Sequence, residues 1–117
     1  MKNNETEPEI VLKGEAADNR IYSLLGLSKK AGFAHGGEFL AEKAVKGGKS
    51  ALLIVASDAS DNTKKKFRDM CEFYKTPFFT FGDKDGLGHA IGAEFRASVS
   101  INNAGMAKKI IDLLENR

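Results

Sequence analysis

The segment Gly36-Gly37-Glu38-Phe39-Leu40-Ala41-Glu42-Lys43 holds the residues best placed to do chemistry in this chain. Two glycines ahead of a helical pattern leave the first backbone N–H groups uncovered. Those donors, with the positive end of the helix dipole, form a surface suited to phosphate or to base edges. Lys43 follows about one turn further in. Phe39 and Lys43 share a face by the i, i+4 rule, so a base could stack on the ring while a phosphate meets the ammonium. Residue types alone leave a second reading open, with Phe39 in the core and the glycines in a turn.

Other clusters are less specific. Lys64-Lys65-Lys66 opens a helical pattern, where positive side chains oppose the dipole; the run is either a solvated face or a phosphate contact, and Lys64 is the candidate. Lys29 and Lys30 close another helix, where cations are already favourable, and are read in the same two ways. The run Gly86-Leu87-Gly88-His89-Ala90-Ile91-Gly92 invites comparison with a dinucleotide fingerprint, but its third glycine falls one residue late and too little chain follows for the βαβ unit. These glycines read instead as allowing a tight turn and close packing, with His89 at or near the surface. Cys71 lies among apolar neighbours and reads as an inert core thiol. No serine or cysteine sits in an elbow or oxyanion turn, so no catalytic residue is expected. One cysteine and two histidines, His35 and His89, are too few for a thiolate zinc site, and neither metal nor cofactor is expected.

These residues need a scaffold, and 117 residues with 42% hydrophobic and 29% charged content suit one globular domain. The longest apolar run, Ala51 to Ala56, is far short of the roughly 20 residues of a membrane span, and no signal-peptide core is visible. A cytoplasmic location without membrane attachment is therefore expected. Residues 1–18 set two lysines against five carboxylates, a net −3, so the rest of the chain carries +5 of the total +2. The first part reads as a flexible acidic tail, and 19–117 as a single basic domain compatible with a nucleic-acid partner.

Apolar spacing supplies the elements. Ile21, Leu24 and Leu25 predict a helix capped by Asp18 or Asn19 and stopped at Gly32. A short extended piece at Phe33-Ala34 precedes a second helix with Leu40, Ala41, Ala44 and Val45 on one side, closed by Gly47-Gly48. Ala51 to Ala56, apolar on both faces, predicts a central strand. Residues 57–62 supply turn and capping groups for a third helix with Phe67, Met70, Cys71 and Tyr74 inward, ending before Pro77. Phe78 to Phe81 predicts a strand, Asp83 to Ile91 a short helix, Val99 to Ile101 a half-buried strand, and Met106, Ile110, Leu113 and Leu114 a last helix. The alternation predicts an α/β class fold, a three-layer α/β/α sandwich around a mixed sheet of four strands.

The order of these motifs resembles the ribosomal L-seven-Ae / L-thirty-e family of kink-turn RNA-binding proteins. The matching residues are Gly37, then Lys43-Ala44-Val45, Gly48, Ile54-Val55-Ala56-Ser57-Asp58, Cys71-Glu72, Pro77-Phe78 and Leu87 to Gly92. They cover about residues 20 to 115. The Leu25 to Gly32 opening and the Ser60-Asp61-Asn62-Thr63 turn are more similar to the bacterial YlxQ-like branch. The resemblance implies the L-thirty-e-like sandwich, binding a sharply bent internal loop through the start of its second helix against sheared G·A pairs. On matching positions that site is Gly37, Glu38, Phe39, Leu40 and Lys43, to which the glycine pair read above adds Gly36, and a second loop, Glu94, Phe95, Arg96 and Ala97, receives a flipped-out nucleotide. One departure matters. Archaeal members carry Asn and Glu where Phe39 and Leu40 stand, and neither of these can hydrogen-bond a guanine.

The expected function is therefore non-enzymatic binding of structured, kink-turn type RNA by a ribosome- or translation-associated monomer, with ribosomal RNA a candidate partner and no small-molecule substrate. The alternative is a protein-interaction module on the same fold, a ribosome-assembly partner with Phe39 and Phe95 as its contacts and only nonspecific RNA affinity.

Overall fold

A computed structural model describes residues 11–117; the first ten residues of the expected acidic tail lie outside the described part. The chain runs α1 (Gly14–Lys30), β1 (Ala34–Gly36), α2 (Glu38–Lys46), β2 (Leu52–Val55), α3 (Asp61–Tyr74), β3 (Phe78–Thr80), α4 (Lys84–Ala90), β4 (Ser98–Ile101) and α5 (Ala104–Asn116). The strands form one sheet in the order β1-β4-β2-β3. β2 and β3 are parallel, whereas β4 is antiparallel to both β1 and β2. Helices α2 and α3 pack on one face, and α1, α4 and α5 on the other. This is the three-layer sandwich with a mixed four-stranded sheet expected from the alternation.

The local signals worked where short polar residues had a helix end to satisfy. Ser60 accepts from the Thr63 N–H at 3.1 Å, Asp83 from Gly86 at 2.6 Å and Asn103 from Met106 at 2.8 Å, which caps α3, α4 and α5. Gly32, at φ +82, turns the chain out of α1.

Three expectations need correction. Helix α1 starts at Gly14, not at Asp18, so 14–18 of the expected tail are helical in this structure. Ala17 is fully buried four residues before Ile21 and extends the inward stripe by one turn; its single methyl was too weak a signal to read. Asp18 does not cap. It takes Arg117 of the far terminus in a two-point ion pair, at 2.6 and 3.0 Å. Strand β4 is wholly buried, not half-buried, because it lies between β1 and β2 with helices on both faces. Its serines are covered too: Ser100 Oγ donates to Asn102 Oδ1 at 2.5 Å. Finally, Tyr74 is exposed at the end of α3, where it meets Phe73 edge-on, and only Phe67 and Cys71 of that helix are fully inward.

Candidate nucleic-acid interface

Gly37 is the N-cap of α2, with φ +102, a conformation closed to most side chains. Among the described residues no side chain caps this end. The Gly37 N–H is itself consumed, donating to the Ser98 carbonyl of β4 at 2.9 Å, and Ala41 N–H returns to the Gly37 carbonyl at 3.0 Å. The N–H groups left for a ligand are therefore those of Glu38, Phe39 and Leu40. Gly36 plays a different part from the one expected. It is the half-buried last residue of β1, and a Cβ there would collide with Ile91 Cδ1. Its bareness brings α4 against the sheet rather than exposing a donor.

Side chains around that end divide by environment. Phe39 is 75% exposed and Leu40 43%, which settles the question left open by residue types: the ring is not in the core. The inward face of α2 is made by Ala41, Ala44 and Val45. Lys43 is exposed and, among the described residues, forms no ion pair. Glu38 is held by Lys66 of α3 at 2.9 Å, and the same ammonium reaches Glu42 at 2.9 Å. Glu42 is bound from its other side by Lys46 at 2.7 Å. Hydrogen bonds donated by Lys46 and then Lys66 pull the Glu42 carboxyl down to about 2, and the bonds that Lys66 donates to Glu38 and Glu42 raise its own value. The lysine cluster of α3 thus offsets the two acidic groups of α2. Lys66, not Lys64, does this; Lys64 sits half-buried in the first turn of α3.

The second segment, residues 94–97, is brought alongside by backbone bonds. Ala97 carbonyl accepts from Ala56 at 2.8 Å, Arg96 N–H donates to Lys84 at 2.9 Å, and Lys84 N–H donates to the Asp58 carboxylate at 3.0 Å. Ser57 N–H joins Gly82 at 2.9 Å. The ends of β2 and β3, the starts of α2 and α4, and the loop before β4 therefore meet at one end of the sheet. Within the loop Glu94 is exposed, Phe95 is 60% exposed with the Lys84 ammonium 5.7 Å from its ring centre, and Ala97 is half-buried. Arg96 lays its side chain beside the cap: a Cβ on Gly37 would stand 3.8 Å from its Cδ. Lys84 was not visible as a site residue in the sequence, since only the loop's fold-back brings it over Phe95. Lys29 and Lys30 are exposed at the other end of β1, about 10 Å of strand away from Gly37.

Cys71 is buried, and burial pushes its thiol up to about 11, away from nucleophilic use. His89 is exposed on α4. Gly88 admits no Cβ without collision with the Glu94 carbonyl, so the glycine run serves packing. Among the described residues no group of His, Cys, Asp and Glu is arranged to hold a metal, and no helix is long and apolar enough to cross a membrane.

A mixed sheet with two helices on one face and three on the other, a glycine-capped helix start and a neighbouring aromatic and basic loop define a three-layer α/β/α sandwich. Residues 19–111 match the model of the ribosomal protein L7Ae/L30e/S12e/Gadd45 family, and the chain belongs to that family. It is similar to the RNA-binding protein YlxQ of Bacillus subtilis (strain 168), 37% identical over 94 residues that cover 80% of this chain and 94% of that one. The RNA-binding protein YlxQ of Enterococcus faecium is 33% identical over 101 residues, 86% of this chain and 97% of the other. Among solved structures, a protein of unknown function from Bacillus halodurans C superposes with a TM-score of 0.79 at 38% identity, over 82% of this chain and 97% of its own. The Giardia lamblia 15.5kD RNA binding protein does so with a TM-score of 0.74 at 25% identity, over 91% and 93%. The resemblance to the YlxQ-like branch is thereby borne out, and none of these descriptions is that of an enzyme.

Proposed function

We propose that this protein binds structured RNA, of the kink-turn type, through the amino end of α2 and the 94–97 loop, and performs no catalysis. The observation that carries the reading is the uncapped α2 start, where three backbone donors, Phe39 and Lys43 lie beside a loop presenting Phe95 and Arg96. Backbone N–H groups and the dipole receive a phosphate or a base edge, Lys43 neutralises a phosphate, and Phe39 and Phe95 offer rings for unstacked bases. Gly36 supports the site from behind. Glu38 contributes through its bond to Lys66, which keeps its charge from opposing the RNA. Lys29, Lys30 and Lys64 extend the basic surface.

The names of the relatives support RNA as the ligand. Selectivity for a kink-turn rests on shape, because Phe39 and Leu40 have no polar group with which to read a guanine. The protein acts as a cytoplasmic monomer on this reading, with residues 19–117 as the RNA-binding domain, residues 1–18 as an acidic tail and ribosomal RNA as a candidate partner.

Gel-shift titration tests it, with a kink-turn duplex against one whose G·A pairs are replaced by Watson–Crick pairs. Preference for the bent RNA is expected, and Lys43→Ala should weaken that binding by about 1–3 kcal/mol without altering the melting temperature. Equal affinity for both duplexes that vanishes near physiological salt would reduce the site to a basic surface. Absence of any RNA binding would favour a protein partner on Phe39 and Phe95.

A further inference from the structure

A groove of about 400 Å³ runs along α2 away from the helix start, lined by His35, Leu40, Lys43, Ala44, Gly47, Lys49 and Asn102. Its residues come from α2, from β1, which among the described residues pairs only with β4, and from the segments that follow α2 and β4. Leu40 and Ala44 give it an apolar floor, and the half-buried His35 a planar wall. Asn102 reaches the rim with its carboxamide oxygen already taken by Ser100 Oγ, which leaves the NH₂ as a donor. Lys43 and Lys49 are exposed and, among the described residues, neither is paired with a carboxylate. The groove sits toward the carboxyl end of α2, where the negative end of the helix dipole favours cations; Lys43 gains from that position, and with Lys49 it adds positive charge to the rim of the groove.

We propose that this groove is a second RNA subsite, which takes one nucleotide of the strand that continues past the α2 start. The inference rests on the RNA-binding reading above and deepens it. Leu40 and Lys43 belong both to the helix-start site and to the groove, so one strand can pass from the first to the second without leaving the surface. A base enters against His35 and over Leu40 and Ala44, with the Asn102 NH₂ directed at a base acceptor, while the flanking phosphates meet Lys43 and Lys49. The combination of a flat ring, an apolar floor, one amide donor and two flanking cations matches a nucleotide unit, and a bare phosphate would leave the floor and the ring unused. Gly47, the C-cap of α2, lines the groove and puts no side chain over it.

The test is a salt series of affinity for a kink-turn RNA, with the whole chain and the groove variants Lys49→Ala and His35→Ala, each checked for unchanged melting. Lys49→Ala should cost about fivefold or more in affinity and flatten the plot of log affinity against log salt by about 0.7 to 0.9. His35→Ala should weaken binding while leaving that slope unchanged, because it removes stacking and no charge. If wild-type protein binds with Lys43-dependent affinity yet both groove variants match it in affinity and slope, the subsite is wrong and the helix-start reading stands. If the wild-type chain binds no RNA, both fall together.

Discussion

Phe39 projects from the first turn of α2 into solvent, and a large ring left so exposed gains nothing for folding. The residue type could not decide between core and contact, because apolar spacing along nine helical residues admits either face. Burial of Ala41, Ala44 and Val45 decides it. Phe39→Ala should therefore change stability by no more than about 0.5 kcal/mol, while RNA affinity drops by about 1–3 kcal/mol through lost stacking. Paired urea titration and binding measurements check this; a stability loss of about 3–5 kcal/mol would return the ring to the core. Gly37 shows the same division. Its place before a helix was legible, but its left-handed φ and the loss of its own N–H to Ser98 depend on β4, sixty residues later in the chain.

Between elements, the junction of α2 with α3 is electrostatic as well as apolar. Lys66 bridges Glu38 and Glu42, and Lys46 completes the set on its own helix. The lysine run in the first turn of α3 reads in sequence as a solvated face or a phosphate contact; its third member, Lys66, is answered by carboxylates of a neighbouring helix. The Glu42 carboxyl is held at about 2, below its ordinary value, by bonds that exist only in the folded state. A depressed folded value means that the associated stability is present above the ordinary carboxylate range and is lost as pH falls through it towards 2. The urea midpoint should decline from about pH 5 to about pH 2, and Glu42→Gln should decline less steeply over the same window. An identical slope in the variant would show that the bridge does not contribute. The surface exposure of these side chains keeps the effect small at high salt.

For the molecule as a whole, the interface exists because distant segments are forced to one end of the sheet. Gly88 is central to this. It lets the Glu94 backbone lie directly on α4, and the Ala93 N–H then bonds the Gly88 carbonyl at 2.8 Å. Gly88→Ala must displace main chain rather than a flexible side-chain tip, so a stability loss of about 1–3 kcal/mol is expected, together with weaker RNA binding as the 94–97 loop shifts. Thermal melting and the gel-shift assay read the two effects. Full stability with full affinity would remove the glycine run from the account.

Periodicity and punctuation determined the elements: alternating helices and strands, capping groups for α3 within residues 57–62, an all-apolar β2, and a glycine-opened α2 with Lys43 one turn in. Such signals are local, since they arise from backbone donors, φ angles and one-face burial within a few residues. Tertiary structure decided which donors stay open, that Gly36 packs against Ile91, that Lys66 rather than Lys64 meets the acids of α2, and that Lys84 joins Phe95. It also carved the groove from His35, Lys49 and Asn102, which stand on separate elements. Those outcomes depend on strand order and on which faces meet, and a chain read from end to end contains no distance between residues so far apart.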